Sequence, residues 1–472
     1  MATDRRTDTT PAAAPTPAPT PTPAPAPAPA PARTAAPTAD PATVPRFPAG
    51  FCWGVSTSAQ QIEGAAELRE PSVWDVFAAE PGRIKDGSNP AVACDHYHRY
   101  PEDVALLAGL GVDAYRFSIS WPRVNSPGGL DFYDRLVDAL CAAGIRPVPT
   151  LFHWELPLAL DWRERDTAAR FADHVAVVAG RLGDRVSRWI TLNEPAEHTL
   201  LGHALGLHAP GERLLFDALP VAHHQLLAHG CAVRALRAAG AGEIGIANSH
   251  GPTWPASADR ADTEAADFYD VLLNRLFADP LLLGEYPAGL GELMPGDVAA
   301  DLKVISEPLD FYGVNYYTPT RVGTPQGTEI DFGGVRMPAE LPFSVREIEN
   351  VPTTDFGWPV LPEGLTELLT TFRDRYGDRL PPVVITENGC SYDGLDDQDR
   401  IAYLDGHVRA LHRAIEAGVD IRGYFVWSLL DNFEWAEGHA RRFGLVHVDH
   451  ATQRRTPKAS YAWYRELLRA QR

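Results

Sequence analysis

No stretch of the 472-residue chain approaches the ~18 uninterrupted apolar residues of a membrane span, so no membrane partner is expected. Cysteine is sparse and scattered: Cys52, Cys94, Cys141, Cys231 and Cys390 are odd in number and form no Cys-x-x-Cys pair. That removes the common zinc and dithiol patterns and points to reduced, mostly buried thiols in a cytoplasmic protein. His-Glu-x-x-His is absent, and no Gly-rich phosphate loop follows a strand, so neither a metal nor a nucleotide cofactor is expected. Positive charge is short as well, with 42 Lys+Arg against 62 Asp+Glu and a net charge of −20. A sequence-independent grip on phosphate backbones needs the opposite balance, which argues against nucleic acid as a partner. The start, Met1-Ala-Thr-Asp-Arg-Arg, carries a twin arginine without the apolar stretch of an export signal, consistent with a cytoplasmic location.

What is present is a core-forming composition, 45% hydrophobic and 22% charged, interrupted by one sharp change near Val44. Residues 11–32 are only Pro, Ala and Thr. With Pro fixing φ and removing donors, such a segment cannot build a core and should extend as polyproline II, at ~3 Å per residue. The expected organisation is a disordered Pro/Ala/Thr-rich tail over 1–44 and one folded body over 45–472. Within the body, short β-branched or aromatic runs alternate with longer segments of helical period. Eight candidate strands stand out: Phe51–Val55, Ala114–Ser118, Arg146–Leu151, Arg188–Leu192, Glu243–Asn248, Asp310–Asn315, Val383–Glu387 and Gly423–Ser428. Helical spacing predicts helices over Glu102–Leu110 and Asp399–Ala417, among others. Eight βα units make a single (β/α)8 TIM barrel of the α/β class, and the long intervals before strands six and seven require extra structure over one face.

A barrel assembles its site where strands end, and the polar and aromatic clusters fall there. Gln60-Gln61-Ile62-Glu63-Gly64 follows strand one, Arg116 lies on strand two, and His153-Trp154 follows strand three. Strand four runs into Asn193-Glu194-Pro195, strand six into Asn315-Tyr316-Tyr317, strand seven into Glu387-Asn388-Gly389, and strand eight into Trp427, then Glu434-Trp435. Carboxylates, amides, imidazole and indoles around one opening suit a neutral polyhydroxylated ligand. Glu194 and Glu387, read as facing each other on opposite strands, could supply the two carboxyl groups of glycoside cleavage, ~5–5.5 Å apart for retention of configuration. Either glutamate alone would be an ordinary solvated loop charge. His96-Tyr97-His98 and His223-His224 lack a third metal ligand at useful spacing and are read as structural, and Glu63 as one half of a buried ion pair.

These segments carry a resemblance. From about Phe47 to Tyr464 the chain resembles the family 1 glycoside hydrolases of β-glucosidase type. The matching segments are Phe47–Gly54 with Gln61–Gly64, Tyr115–Arg123, Phe152–Trp154, Thr191–Pro195, Thr386–Gly389 and Trp427–Trp435. The resemblance implies a retaining β-glycosidase cleaving terminal, non-phosphorylated β-D-glucosides through a covalent glycosyl-enzyme, with no cofactor and a small-molecule or oligosaccharide β-glycoside as partner. It implies Glu194 as acid/base and Glu387 as nucleophile, held ionised by Arg116 and Tyr317. Gln61, His153, Asn193, Glu434 and Trp435 would bind the glycone over Trp427, with Trp358 against the leaving group; Trp154, Asn315 and Phe443 complete the candidate binding residues. Glu434 would face O4 and O6 and repel a 6-phosphate by its charge. Family members often have an aromatic after Asn-Glu-Pro, where this chain has Ala196, Glu197 and His198, which predicts a wider, more polar leaving-group site. His439, where a Tyr is frequent, and Glu437 are further departures. A transglycosylating enzyme, or a sugar-binding barrel without catalysis, are the alternatives; the presence of both glutamates weighs against the second.

Overall fold

The computed structural model describes residues 39–327, 330–332 and 335–472. Eight parallel strands close into a barrel in chain order: β1 Cys52–Ser56, β2 Ala114–Ser118, β3 Arg146–Phe152, β4 Arg188–Asn193, β5 Glu243–Ser249, β6 Phe311–Asn315, β7 Val383–Asn388 and β8 Ile421–Trp427. Each strand leads to a helix: α1 His96–Leu110, α2 Gly129–Ala142, α3 Asp166–Leu182, α4 Leu219–Ala238, α5 Val298–Ile305, α6 Pro362–Tyr376, α7 Gln398–Glu416 and α8 Ala459–Gln471. This is the (β/α)8 barrel that the strand pattern predicts. Helix α1 begins before the predicted Glu102, with Pro101 inside it. Its first turns are tied down by His96, whose Nδ1 lies 2.8 Å from Asp103 Oδ2.

One apolar side chain from every strand fills the barrel: Cys52, Ala114, Val148, Ile190, Ala247, Phe311, Val384 and Phe425 form a cluster of their own. Their strand neighbours, such as Tyr115, Trp189, Ile246, Ile385 and Tyr424, belong to the larger core instead. The strand period of two then fixes what lies directly above the plug. Two residues beyond Ala114, Val148, Val384 and Phe425 come Arg116, Thr150, Thr386 and Trp427, all buried. The ladder is irregular where the two glutamates emerge: β4 slips against β5 between Ile190 and Asn193, and β7 against β6 between Ile385 and Glu387. Such irregularities re-aim side chains at strand ends. Gly389 is required beside them, since a Cβ there would sit 1.8 Å from the Trp427 carbonyl oxygen.

The long intervals carry the extra structure expected of them. Thr253–Pro255 after β5, with Thr320–Gly323 and Ser344–Arg346 after β6, form a three-stranded sheet. The predicted structural roles also hold: Arg123 Nε donates to Glu63 Oε2 at 2.6 Å, and Tyr133 donates to Oε1 at 2.8 Å. His223 lies 3.0 Å from Asp301, and His224 lies 2.9 Å from the Trp162 carbonyl. All five cysteines are free. Among the described residues no helix is long and apolar enough to cross a membrane, and no cluster of His, Cys, Asp and Glu could hold a metal.

The tail expected over 1–44 lies, for residues 1–38, outside the described residues. Its last six residues belong to the packed body. Trp463 Nε1 donates to the Ala39 carbonyl at 2.8 Å, Arg409 Nη1 donates to the Thr43 carbonyl at 3.0 Å, and Val44 is buried. The composition change near Val44 therefore does not mark the packing boundary, because a Pro-rich segment can still make one turn, Pro41–Thr43, and dock through its carbonyls. A chain beginning at Ala39 is expected to melt about 2–5 °C above one beginning at Pro45, from three lost hydrogen bonds and the lost packing of Val44. Equal melting temperatures by calorimetry would show that the segment only rests on the surface.

Candidate active site

Glu194 and Glu387 emerge at the ends of β4 and β7, which β5 and β6 separate, so the strands lie three steps apart around the ring and are not diametric. Closure of the ring and the two ladder slips bring the carboxylates together. Glu194 is 6% exposed and Glu387 3%. Arg116, from β2, pairs through Nη1 with Glu387 Oε1, and Tyr317 donates to Oε2 at 2.7 Å. The other arm of Arg116 donates to Asn193 Oδ1 at 2.6 Å, and its Nε to Thr150 Oγ1 at 3.1 Å. Asn193 Nδ2 then donates to Glu194 Oε2 at 3.1 Å, and Asn315 Nδ2 to Oε1 at 2.8 Å. One continuous chain of contacts thus runs from Glu387 through Arg116 and Asn193 to Glu194. A guanidinium bonded on its paired side to one carboxylate and only indirectly to the other sets their environments apart.

Burial pushes the Glu194 carboxyl well above its ordinary range, and the nearby charges of Glu387 and Glu197 push it further. Tyr317 is raised well above the usual phenol range, by burial and then by Glu387, so it stays protonated and can keep donating. His153 is driven well below the imidazole range, by burial first and then by Arg116, and is neutral. Its Nε2 lies 3.0 Å from the Asn193 amide nitrogen, which leaves the proton on Nδ1. That buried Nδ1 has no protein partner, the arrangement of a donor kept for a ligand.

The cleft holding these groups has a volume of about 440 Å³. Its inner wall includes His153, Trp154, Trp427, Glu434 and Trp435. The His153 ring stacks near Trp427 at 6.0 Å and Trp435 at 5.6 Å, and Trp154 packs on Trp435 at 4.6 Å. Gln61, Asn193, Asn315 and Arg116 are buried beside that wall: Gln61 Nε2 donates to Glu434 Oε2 at 3.2 Å and to Asn432 Oδ1 at 3.3 Å. Trp154, Glu194 and Trp435 have φ of +75°, +47° and +49°. Left-handed backbone costs a non-glycine residue about 1–2 kcal/mol and gathers at functional sites. Burial, with the charges of Glu387 and Glu437, pushes Glu434 up to about 8. That upward shift weakens the repulsion of a 6-phosphate expected above from Glu434's own charge.

At the mouth, Trp358 lies 4.4 Å from Phe356 and 5.9 Å from Phe443 between ring centroids, and 5.3 Å from Tyr317. The polar side expected next to Asn-Glu-Pro comes from Glu197 and not from the position of Ala196. The Ala196 side chain is buried and borders a separate apolar pocket with Thr199, Leu200 and Phe277, away from the cleft wall. Glu197, Leu201 and Ser249 line the cleft on that side. His439 also stays off the wall, stacked on His450 at 3.8 Å, whereas Glu437 lines it and pairs with Lys85. Ser249, Phe356, and Trp74 packed 4.6 Å from Trp435, were not found by sequence reasoning. All three sit outside the motif segments.

The comparisons agree with this geometry. The family model described as glycosyl hydrolase family 1 matches residues 43–472. A β-glucosidase of an Agrobacterium species is 44% identical over 450 residues, 89% of this chain and 95% of that protein. The crystal structure of a psychrophilic β-glucosidase from Micrococcus antarcticus has a TM-score of 0.86 at 44% identity, covering 92% of this chain and all of its own. A Thermotoga maritima β-glucosidase in complex with glucoimidazole has a TM-score of 0.84 at 40% identity, covering 90% of this chain and 99% of its own. With the barrel, the paired carboxylates and a match spanning nearly the whole described body, the chain belongs to glycosyl hydrolase family 1.

Proposed function

We propose that the protein is a retaining β-glucosidase that removes terminal, non-phosphorylated β-D-glucose, with Glu387 as nucleophile and Glu194 as acid/base. The observation that carries the assignment is the asymmetry of the two carboxylates. Glu387 meets a guanidinium and a phenol that both favour the anion, whereas Glu194 meets only amides and has its carboxyl pushed up by burial and by Glu387 itself. Proton and charge are then already distributed for the first step. Glu387 attacks the anomeric carbon while Glu194 delivers its proton to the departing oxygen. Forming the ester removes the negative charge of Glu387, and with it one cause of the raised Glu194 carboxyl, so Glu194 can take a proton from the water that ends the cycle.

The glycone would sit among His153, Gln61, Asn193, Glu434 and Trp435 with Trp427 as an apolar floor. The β-glucosidase names of relatives at 40–44% identity, one bound to glucoimidazole, support glucose as the sugar. Release of chromophore from an aryl β-glucoside, with NMR of the first anomer formed, tests activity and retention together. No release, or α-glucose as first product, would overturn the proposal.

Glu434, against O4 and O6 in this reading, donates one bond while protonated and accepts others. Glu434→Ser is expected to lower kcat/KM for an aryl β-glucoside more than about tenfold. The loss should be smaller for the 6-deoxy glycoside, in which one partner is already missing. Equal losses on both would remove O6 from its contacts. Wild-type refusal of a 6-phosphoglucoside should persist in Glu434→Ser, because the two cations beside Glu437, Lys85 and Arg441, are already paired with it and are not free to receive a phosphate.

A further inference from the structure

The side of the cleft away from the glycone holds a carboxylate that the proposed chemistry does not use. Glu197 ends the short turn Pro195–Glu197 that begins at Glu194, and with Ser249, the last residue of β5, it lines the same cleft. In the ring β4 and β5 face β8 and β1, the strands leading to Trp427, Glu434 and Gln61, so Glu197 lies across the opening from the proposed glycone contacts. Among the described residues only the Ser249 hydroxyl bonds it, donating to Oε1 at 3.2 Å. Among the described residues, Oε2 has no hydrogen-bond partner and no cation pairs with the side chain. Leu201 and Tyr269 make the adjoining wall apolar. A half-buried carboxylate with one oxygen unpartnered is placed to accept hydrogen bonds from a ligand in the cleft. A ligand group rich in donors would supply what is missing, and the group that lies beyond Glu194 on this side is whatever is attached to the glycosidic oxygen.

We propose that Glu197, held by Ser249, selects the leaving group, accepting hydrogen bonds from the hydroxyls of a second sugar. The inference rests on the β-glucosidase function proposed above and names the leaving-group class for that same site. The same contact would serve a sugar acceptor in place of water. Its hydroxyl oxygen would bond to the anomeric carbon as the bond to Glu387 breaks, and its proton would pass to Glu194.

The test compares kcat/KM for cellobiose with that for 4-nitrophenyl β-glucoside in the wild type, Glu197→Gln, Glu197→Leu and Ser249→Ala. Losing a charge-assisted hydrogen bond should lower the disaccharide-to-aryl ratio about tenfold or more in Glu197→Leu. Smaller drops in the same direction are expected for Glu197→Gln and Ser249→Ala, which keep the proposal testable should the leucine variant not fold. With the aryl glucoside as donor, transfer to cellobiose relative to methanol should fall in parallel. A ratio within twofold of wild type in the variants, with the wild type cleaving both substrates, would overturn this inference alone. A wild type that cleaves neither would overturn the β-glucosidase proposal, and this inference with it.

Discussion

Glu387→Gly is expected to lower turnover of an aryl β-glucoside by more than about 10⁴-fold, because no glycosyl-enzyme can form without the carboxylate. The surroundings of the deleted group remain. Arg116 is held by Asn193 and Thr150 independently of Glu387, and Tyr317 is packed against Trp358. A guanidinium and a phenol then face a space of carboxylate size, a place for azide or formate. Either anion should restore turnover by attacking the anomeric carbon from the vacated side, and the product with azide should have inverted, α configuration. A rescued product of β configuration, or near-normal activity without rescue, would show that Glu387 is not the nucleophile. Loss of activity from Tyr317→Phe should be far smaller, since one of two bonds to the carboxylate is removed and Arg116 still pairs with it.

The barrel was legible because its strands are short runs bounded by turns, and because the residues at their ends are chemically unlike those within them. The period of two carries Arg116 and Trp427 to the inside once Ala114 and Phe425 are placed in the plug. What the sequence could not convey is geometry between strands. Strands four and seven were read as opposite, but two strands intervene, and the ladder slips just before Asn193 and Glu387 leave no trace in composition. The leaving-group wall was assigned to Ala196 from a family habit at that position; the turn after Glu194 presents Glu197 instead and buries Ala196. The Pro-rich tail was bounded by its last unusual residue, and docking of Ala39 and Thr43 depends on Trp463 and Arg409, far away in the chain. Glu434 was read as a charge because its residue type carries one at neutral pH in water. Its position between Glu387, Glu437 and the buried aromatics is what raises its carboxyl.

Glu194→Ala is expected to separate the two halves of the reaction. Protonating the departing oxygen is worth ~10²–10⁴-fold, and a leaving group that departs as a stable anion does not need it. For cellobiose the loss should therefore reach that range, while for a dinitrophenyl glucoside the first step is largely spared and release of the glycosyl-enzyme becomes slow. Azide should then speed release by entering from the side Glu194 vacates, giving β-glucosyl azide, the configuration opposite to that expected with Glu387→Gly. Alanine is preferable to glutamine here. Both oxygens of Glu194 accept amide N–H bonds, from Asn193 and from Asn315, so a glutamine would set its own NH₂ against one of those donors. The pH profile supplies a second reading of the same residue. Glu194 is raised in the free protein, and its acid form is required for the first step, so wild-type kcat/KM should be present below the raised value and be lost as pH rises through it. That alkaline limb should vanish from the dinitrophenyl glucoside profile of Glu194→Ala. Equal losses for cellobiose and the dinitrophenyl glucoside, azide product of α configuration, or an unchanged alkaline limb would each exclude Glu194 as the acid. Glu197, the other raised carboxyl on this wall, would then be the group to examine as proton donor.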